Sequence, residues 1–194
     1  SLDRQRKNEF MPYLEHLHDQ LDIPVIYVTH STYEMARLAD YLVLMDNGRV
    51  TAAGELNDIM TSFNLPLARH RDAEVVIDAM VTGHDDEYKL TKLAFSGGSF
   101  LVSLKDLPIG HKCRVTVMAR DVSLTLDYQK NTSISNIFSA KVTEITEVNI
   151  SQVVVKLAVG EIVLLSKITK KSQHQLQIKK GQKLYAQVKS VALL

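Results

Sequence analysis

From Ala73 onward the chain repeats itself, and that repeat constrains the fold more than any other feature of its 194 residues. The first copy has Val75-Val76-Ile77, a turn at Asp85-Asp86, a strand over about 88–95, a turn at Gly97-Gly98 and an apolar run over 100–104. It closes on Gly110-His111-Lys112 and then Val115-Thr116-Val117. The second copy has Ala140-Lys141-Val142, a strand over 153–157, a turn at Gly160 and Ile162-Val163-Leu164-Leu165. It closes on Gly181-Gln182-Lys183 and then Ala186-Gln187-Val188. Short strands separated by turn residues predict a small barrel, and a repeat predicts two in tandem, about 73–128 and 132–194.

Residues 1–64 read differently, as helix, strand, helix, hairpin, helix. Phe10, Leu14, Leu17 and Leu21 share one face of a first helix over about 4–21. Val25-Ile26-Tyr27-Val28 reads as a strand of a parallel sheet buried on both faces. Ser31-Thr32-Tyr33-Glu34 has the pattern of a capping box that starts a second helix. Asp46-Asn47-Gly48-Arg49 predicts a type I′ turn between strands over 41–45 and 50–53, followed by a short helix over 55–62. Residues 65–72, with Pro66 and the basic cluster Arg69-His70-Arg71, read as a linker. The expected fold is therefore an α/β portion followed by an all-β tandem of small OB-like barrels.

Composition removes several functions. With 45% hydrophobic residues the chain can form a packed core. A net charge of +1, from 23 basic and 22 acidic residues, argues against a nucleic-acid surface. The single cysteine, Cys113, excludes a disulfide framework and a multi-thiolate metal centre. His16 and His18 lack a second ligand pair, so no metal site is expected. No apolar run reaches the roughly 20 residues of a membrane span. The polar, charged start and the missing initiator Met suit a piece of a longer chain.

Ser1-Leu2-Asp3, the run Tyr27-Val28-Thr29-His30 and the block from Ala39-Asp40 through Met45 and Gly48 to Gly54 occur in an order that resembles the end of an ABC-transporter ATPase domain. Thr132-Ser133-Ile134-Ser135-Asn136 resembles the opening of the molybdate-binding (Mop or TOBE) module of molbindins. The ending Leu184-Tyr185-Ala186-Gln187-Val188-Lys189-Ser190-Val191 is most similar to the ATPase subunits of molybdate importers.

The resemblance implies that His30 is the switch histidine that contacts the γ-phosphate of ATP, a contact an imidazole N–H can make. It implies that Asp3 belongs to the loop that crosses the ATPase dimer; by position alone Asp3 also reads as a helix N-cap. It further implies ATP and Mg in the intact subunit, a homodimer, a membrane permease as partner, and a peripheral location on the cytoplasmic face of the bacterial inner membrane. No Gly-x-x-x-x-Gly-Lys-Ser/Thr loop occurs, and no Walker B carboxylates precede Ser1. Ser96-Gly97-Gly98 matches part of the ABC signature but falls between two strands, as a hairpin turn. No ATP hydrolysis, and no ATP or Mg, is expected of this chain alone.

A second candidate site is for molybdate or tungstate. Tetrahedral dianions can be held by backbone N–H groups and hydroxyls with few full charges. Ser133, Ser135 and Asn136 supply donors in one segment, and Thr169, Lys170 and Ser172 in another. The resemblance implies that the two segments approach each other, within a chain or across a subunit boundary. Ser135 stands where oxyanion-binding members often carry Arg, so a bidentate cation is missing. A free oxyanion-binding or storage protein of the molbindin type, and the ATPase subunit of a sulfate, iron or sugar importer, are the competing readings.

Overall fold

The computed structural model describes residues 4–20 and 23–194. The chain divides into two compact units, Ser1–Leu56 and Asn57–Leu194.

In the first unit, α1 (Arg4–Gln20) and α2 (Thr32–Leu38) are tied by Arg37. Its guanidinium donates two bonds to the Glu15 carboxylate, the Nη2–Oε2 bond at 2.6 Å. The buried face of α1 is not the predicted one. Met11 is 1% exposed, whereas Phe10 and Leu17 are 59% and 48% exposed. Leu21 lies outside the described residues. Ser31 caps α2 as its sequence predicts, accepting the Glu34 N–H at 3.4 Å. Strands β1 (Tyr41–Asp46) and β2 (Arg49–Glu55) pair antiparallel through Asn47 and Gly48, whose φ values of 47° and 73° make the predicted type I′ turn.

The strand predicted over 25–28 does not form. Residues 24–29 carry no ladder, and Val25, Ile26 and Val28 are 63%, 93% and 91% exposed. A parallel strand takes all its hydrogen bonds from neighbours, and among the described residues none lies alongside.

The second unit starts with most of α3 (Leu56–Thr61) and a 3-10 turn, Leu67–Arg69. The stretch expected as a linker is packed at Ala68, which joins the main core, as does Phe63 just before it. Ten strands follow. In the first repeat they are β3 (Glu74–Asp85), β4 (Leu90–Phe95), β5 (Gly98–Ser103), β6 (Lys112–Met118) and β7 (Val122–Thr125). In the second they are β8 (Asn136–Glu147), β9 (Gln152–Val159), β10 (Ile162–Thr169), β11 (Lys183–Val188) and β12 (Ala192–Leu193), with α4 (Lys170–Gln175) after β10.

The strands form two curled sheets, ordered β12-β6-β3-β4-β5 and β10-β9-β8-β11-β7. The orders correspond strand for strand, except that each repeat gives its last strand to the other sheet. β7 pairs with β11, and β12 pairs with β6. The repeat is visible at the level of single bonds. Val81 N–H donates to His111 O and Val81 O accepts from Gly110 N–H; Val142 does the same with Gln182 and Gly181. Each long strand shifts register at that point, between Val81 and Gly83 and between Val142 and Glu144.

One core runs through both sheets, from Ile77, Leu93 and Val117 to Val142, Leu157 and Val188. Phe138 of the second repeat packs edge-on against Phe95 and Phe100 of the first, at 5.3 and 5.2 Å between ring centres. Three of the four outer strands are bridged within the chain. The buried Ser166 hydroxyl of β10 donates to Val122 O of β7 at 2.6 Å. The Asn136 side chain holds β5: its amide donates to Leu101 O at 3.0 Å and its oxygen accepts from Leu101 N–H at 2.7 Å.

Candidate functional site

In the first unit the candidate site residue is His30. It sits at a bend, exposed, immediately before the cap of α2. A buried carboxylate sets its position. Glu34 is 4% exposed, and such a group is costly to bury without donors. It accepts a bond from the Tyr27 hydroxyl at 3.0 Å and another from the Thr29 hydroxyl. Thr29 Oγ1 in turn accepts the Ser31 N–H at 3.1 Å. Tyr27, Thr29, Ser31 and Glu34 thus hold the backbone on both sides of His30 and leave the imidazole facing outward. Sequence reasoning read Glu34 only as part of a capping box. The Tyr-x-Thr pattern seven and five residues ahead of it is the signal that shows its second role. Asp3 lies outside the described residues.

In the second unit the oxyanion residues fall into two separate places. Ser133 and Ser135 are exposed in the segment that opens β8, where Ile134 N–H donates to Thr132 Oγ1 at 3.2 Å. Asn136 is buried, and both ends of its amide are engaged by Leu101. Thr169 caps α4, accepting the Ser172 N–H at 3.0 Å, and its hydroxyl lies 2.9 Å from that of Ser172. One of the two hydroxyl protons is consumed in that pair, which leaves one to donate outward. Lys170 Nζ donates to Glu147 Oε2 at 2.7 Å. Beside it Lys170, Gln173, His174, Gln177 and Ile178 line an open hollow of about 500 Å³.

These places do not meet within one chain. Asn136 begins β8 and Glu147, the partner of Lys170, ends it. The strand has 12 residues, which puts the two segments on the order of 35 Å apart along it. Among the described residues no group of His, Cys, Asp and Glu could hold a metal ion. No helix among them is long and apolar enough to cross a membrane.

The chain is similar to several known proteins. The TOBE domain family matches residues 132–194, the second repeat with the segment that opens it. The Molybdenum import ATP-binding protein ModC 1 of Azotobacter vinelandii is 49% identical over 195 residues, covering 100% of this chain and 54% of its own length. The ModC proteins of Aromatoleum aromaticum and Methylococcus capsulatus are 46% and 47% identical, again over 100% of this chain and over 52% and 55% of their own. The chain belongs to the molybdenum import ATP-binding proteins. It spans about half the length of the curated relatives it matches. Among solved structures, the cytoplasmic molybdate-binding protein ModG, with molybdate bound, superposes with a TM-score of 0.52 at 23% identity, over 61% of this chain and 92% of its own. That likeness shows the shared fold, tandem curled sheets of the TOBE type. The relatives matched along the whole of this chain are named as ATP-binding proteins, not as storage proteins.

Proposed function

We propose that this chain is the part of a molybdate-import ATPase subunit that carries the switch histidine and the regulatory barrels. The observation that carries the reading is the full-length likeness to molybdenum import ATP-binding proteins, together with a His30 held outward by the buried Glu34 network. The intact subunit binds ATP and Mg and couples hydrolysis to molybdate uptake through a membrane permease, from the cytoplasmic face of the inner membrane. His30 donates to the γ-phosphate, and Asp3 lies in the loop that crosses to a second ATPase subunit. The exposed Val25, Ile26 and Val28 suit a strand completed by neighbours in the intact subunit. This chain alone does not hydrolyse ATP.

The barrels pair two subunits and bind molybdate or tungstate. The separation of the two donor segments along β8 favours a shared site. Ser133 and Ser135 come from one copy, and Thr169, Lys170 and Ser172 from the other. Asn136 serves that site by fixing the segment beside Ser135 rather than by touching the ion.

Calorimetric titration of the chain tests this part. Molybdate and tungstate are expected to give saturable heat. Replacing Ser133 and Ser135 together by Ala is expected to weaken binding by roughly tenfold or more, the loss of one or two hydrogen bonds to an anion. Absence of heat at millimolar molybdate would remove the sensing role.

A further inference from the structure

The two repeats have diverged where each begins. The bond pattern that superposes Val142 on Val81 places Ser133 and Ser135 on Asp72 and Glu74. The second repeat therefore opens with two hydroxyls, and the first with two carboxylates. The cations around the first opening come from the chain itself. Arg120 Nη1 meets Asp72 Oδ1 at 2.7 Å. Lys167 of β10 donates to His70 O at 2.8 Å and to Arg71 O at 3.4 Å, the carbonyls that follow the 3-10 turn. Glu74 is buried, and its carboxyl is pushed up by that burial and by Asp72, against the pull of Arg120.

A second lysine of the same sheet lies nearby. Lys156 faces Leu165 across the β9–β10 ladder, two residues from Lys167 and on the same side of the sheet. Its ammonium stands 4.8 Å from the centre of the Phe63 ring, itself only 4% exposed. Residues 57–73 are thus held at their start by Asn57, which accepts the Val76 N–H at 3.1 Å, in the middle by Lys156, and at their end by Lys167.

We propose that Lys167 of the second repeat and Arg120 of the first form a releasable strap that fastens residues 69–72, between the buried Ala68 and Ala73, onto the barrels. The strap stands at the opening of the first repeat, the position that corresponds to the candidate ligand hydroxyls of the second. Its ionic contacts are half-exposed, with the Arg120 and Asp72 side chains 49% and 47% exposed. Such contacts add little to global stability but set how often a segment opens locally. Residues 69–72, which lie outside the core between Ala68 and Ala73, are therefore the part of the barrel unit that charge can loosen without unfolding the core. This inference does not depend on oxyanion binding.

An arginine-specific protease reads the opening, because Arg69 and Arg71 are both exposed within the segment. Lys167→Met is expected to speed cleavage after these residues on the order of tenfold, as for loss of a hydrogen bond to a charged group. Lys167→Arg is expected to restore slow cleavage, and thermal melting of the barrels is expected to stay near that of the unaltered chain. Raising salt is expected to speed cleavage of the unaltered chain more than that of Arg120→Gln, which lacks the ion pair with Asp72. Cleavage of Lys167→Met at the original rate, or acceleration only in step with a lowered melting temperature, would overturn the strap.

Discussion

Gly160→Ala is expected to destabilise the barrel unit by about 2–5 kcal/mol. Two costs add. Gly160 has φ +59°, a left-handed conformation that disfavours a side chain by about 1–2 kcal/mol. A Cβ there would also stand 2.7 Å from both the Gly97 Cα and the Ser96 carbonyl oxygen. Those atoms are backbone and belong to the β4–β5 turn, so neither can swing away. The reverse contact is as tight, since a Cβ on Gly97 would meet Val159 O at 2.5 Å. The two hairpin turns, equivalent in the repeat, therefore touch through glycines. Gly181→Ala separates the costs, because Gly181 has φ +86° but open space around it. It is expected to lose only the conformational part, about 1–2 kcal/mol. Urea unfolding of both variants measures the difference. Equal losses would mean that the turns do not press on each other.

The second large effect is expected at Asn136. Its amide replaces a missing strand partner, satisfying the N–H and the C=O of Leu101 together. Asn136→Ala removes two bonds and leaves a gap at a buried position, for a loss of about 2–3 kcal/mol. Asn136→Asp keeps the shape and the bond from Leu101 N–H, but sets a carboxylate oxygen against Leu101 O. It is expected to be at least as damaging near neutral pH. Thermal unfolding of both variants provides the check. A loss below about 0.5 kcal/mol in Asn136→Ala would show that water replaces the amide, and would return Asn136 to the list of free oxyanion donors.

Local chemistry was the legible part of this sequence. Asn47-Gly48 makes its type I′ turn, and Ser31 caps its helix, because each depends on neighbouring residues only. The repeat was legible too, because Gly110-His111 and Gly181-Gln182 make the same bonds to Val81 and Val142. What sequence periodicity missed is non-local. It does not show that β7 and β12 exchange sheets, because a four-residue and a two-residue strand fit either sheet equally well by pattern. It placed Phe10 and Leu17 on a buried face, where the packing instead selects Met11. It assigned a strand to 25–28 from apolar content, which supplies no ladder partner. The oxyanion residues show the same limit. Their donor chemistry could be read from residue type, but their separation along β8, and the engagement of Asn136 by Leu101, came only with the topology.

Molybdate uptake by cells whose intact subunit carries His30→Ala tests the central proposal most directly. His30 is exposed, and among the described residues no hydrogen bond depends on its ring, so the variant is expected to accumulate normally. Uptake is expected to fall to near background, with ATP hydrolysis by the purified transporter lost in parallel. Uptake at the original rate, with the variant present at normal levels, would contradict the assignment of this chain to the ATP-hydrolysing subunit of a molybdate importer.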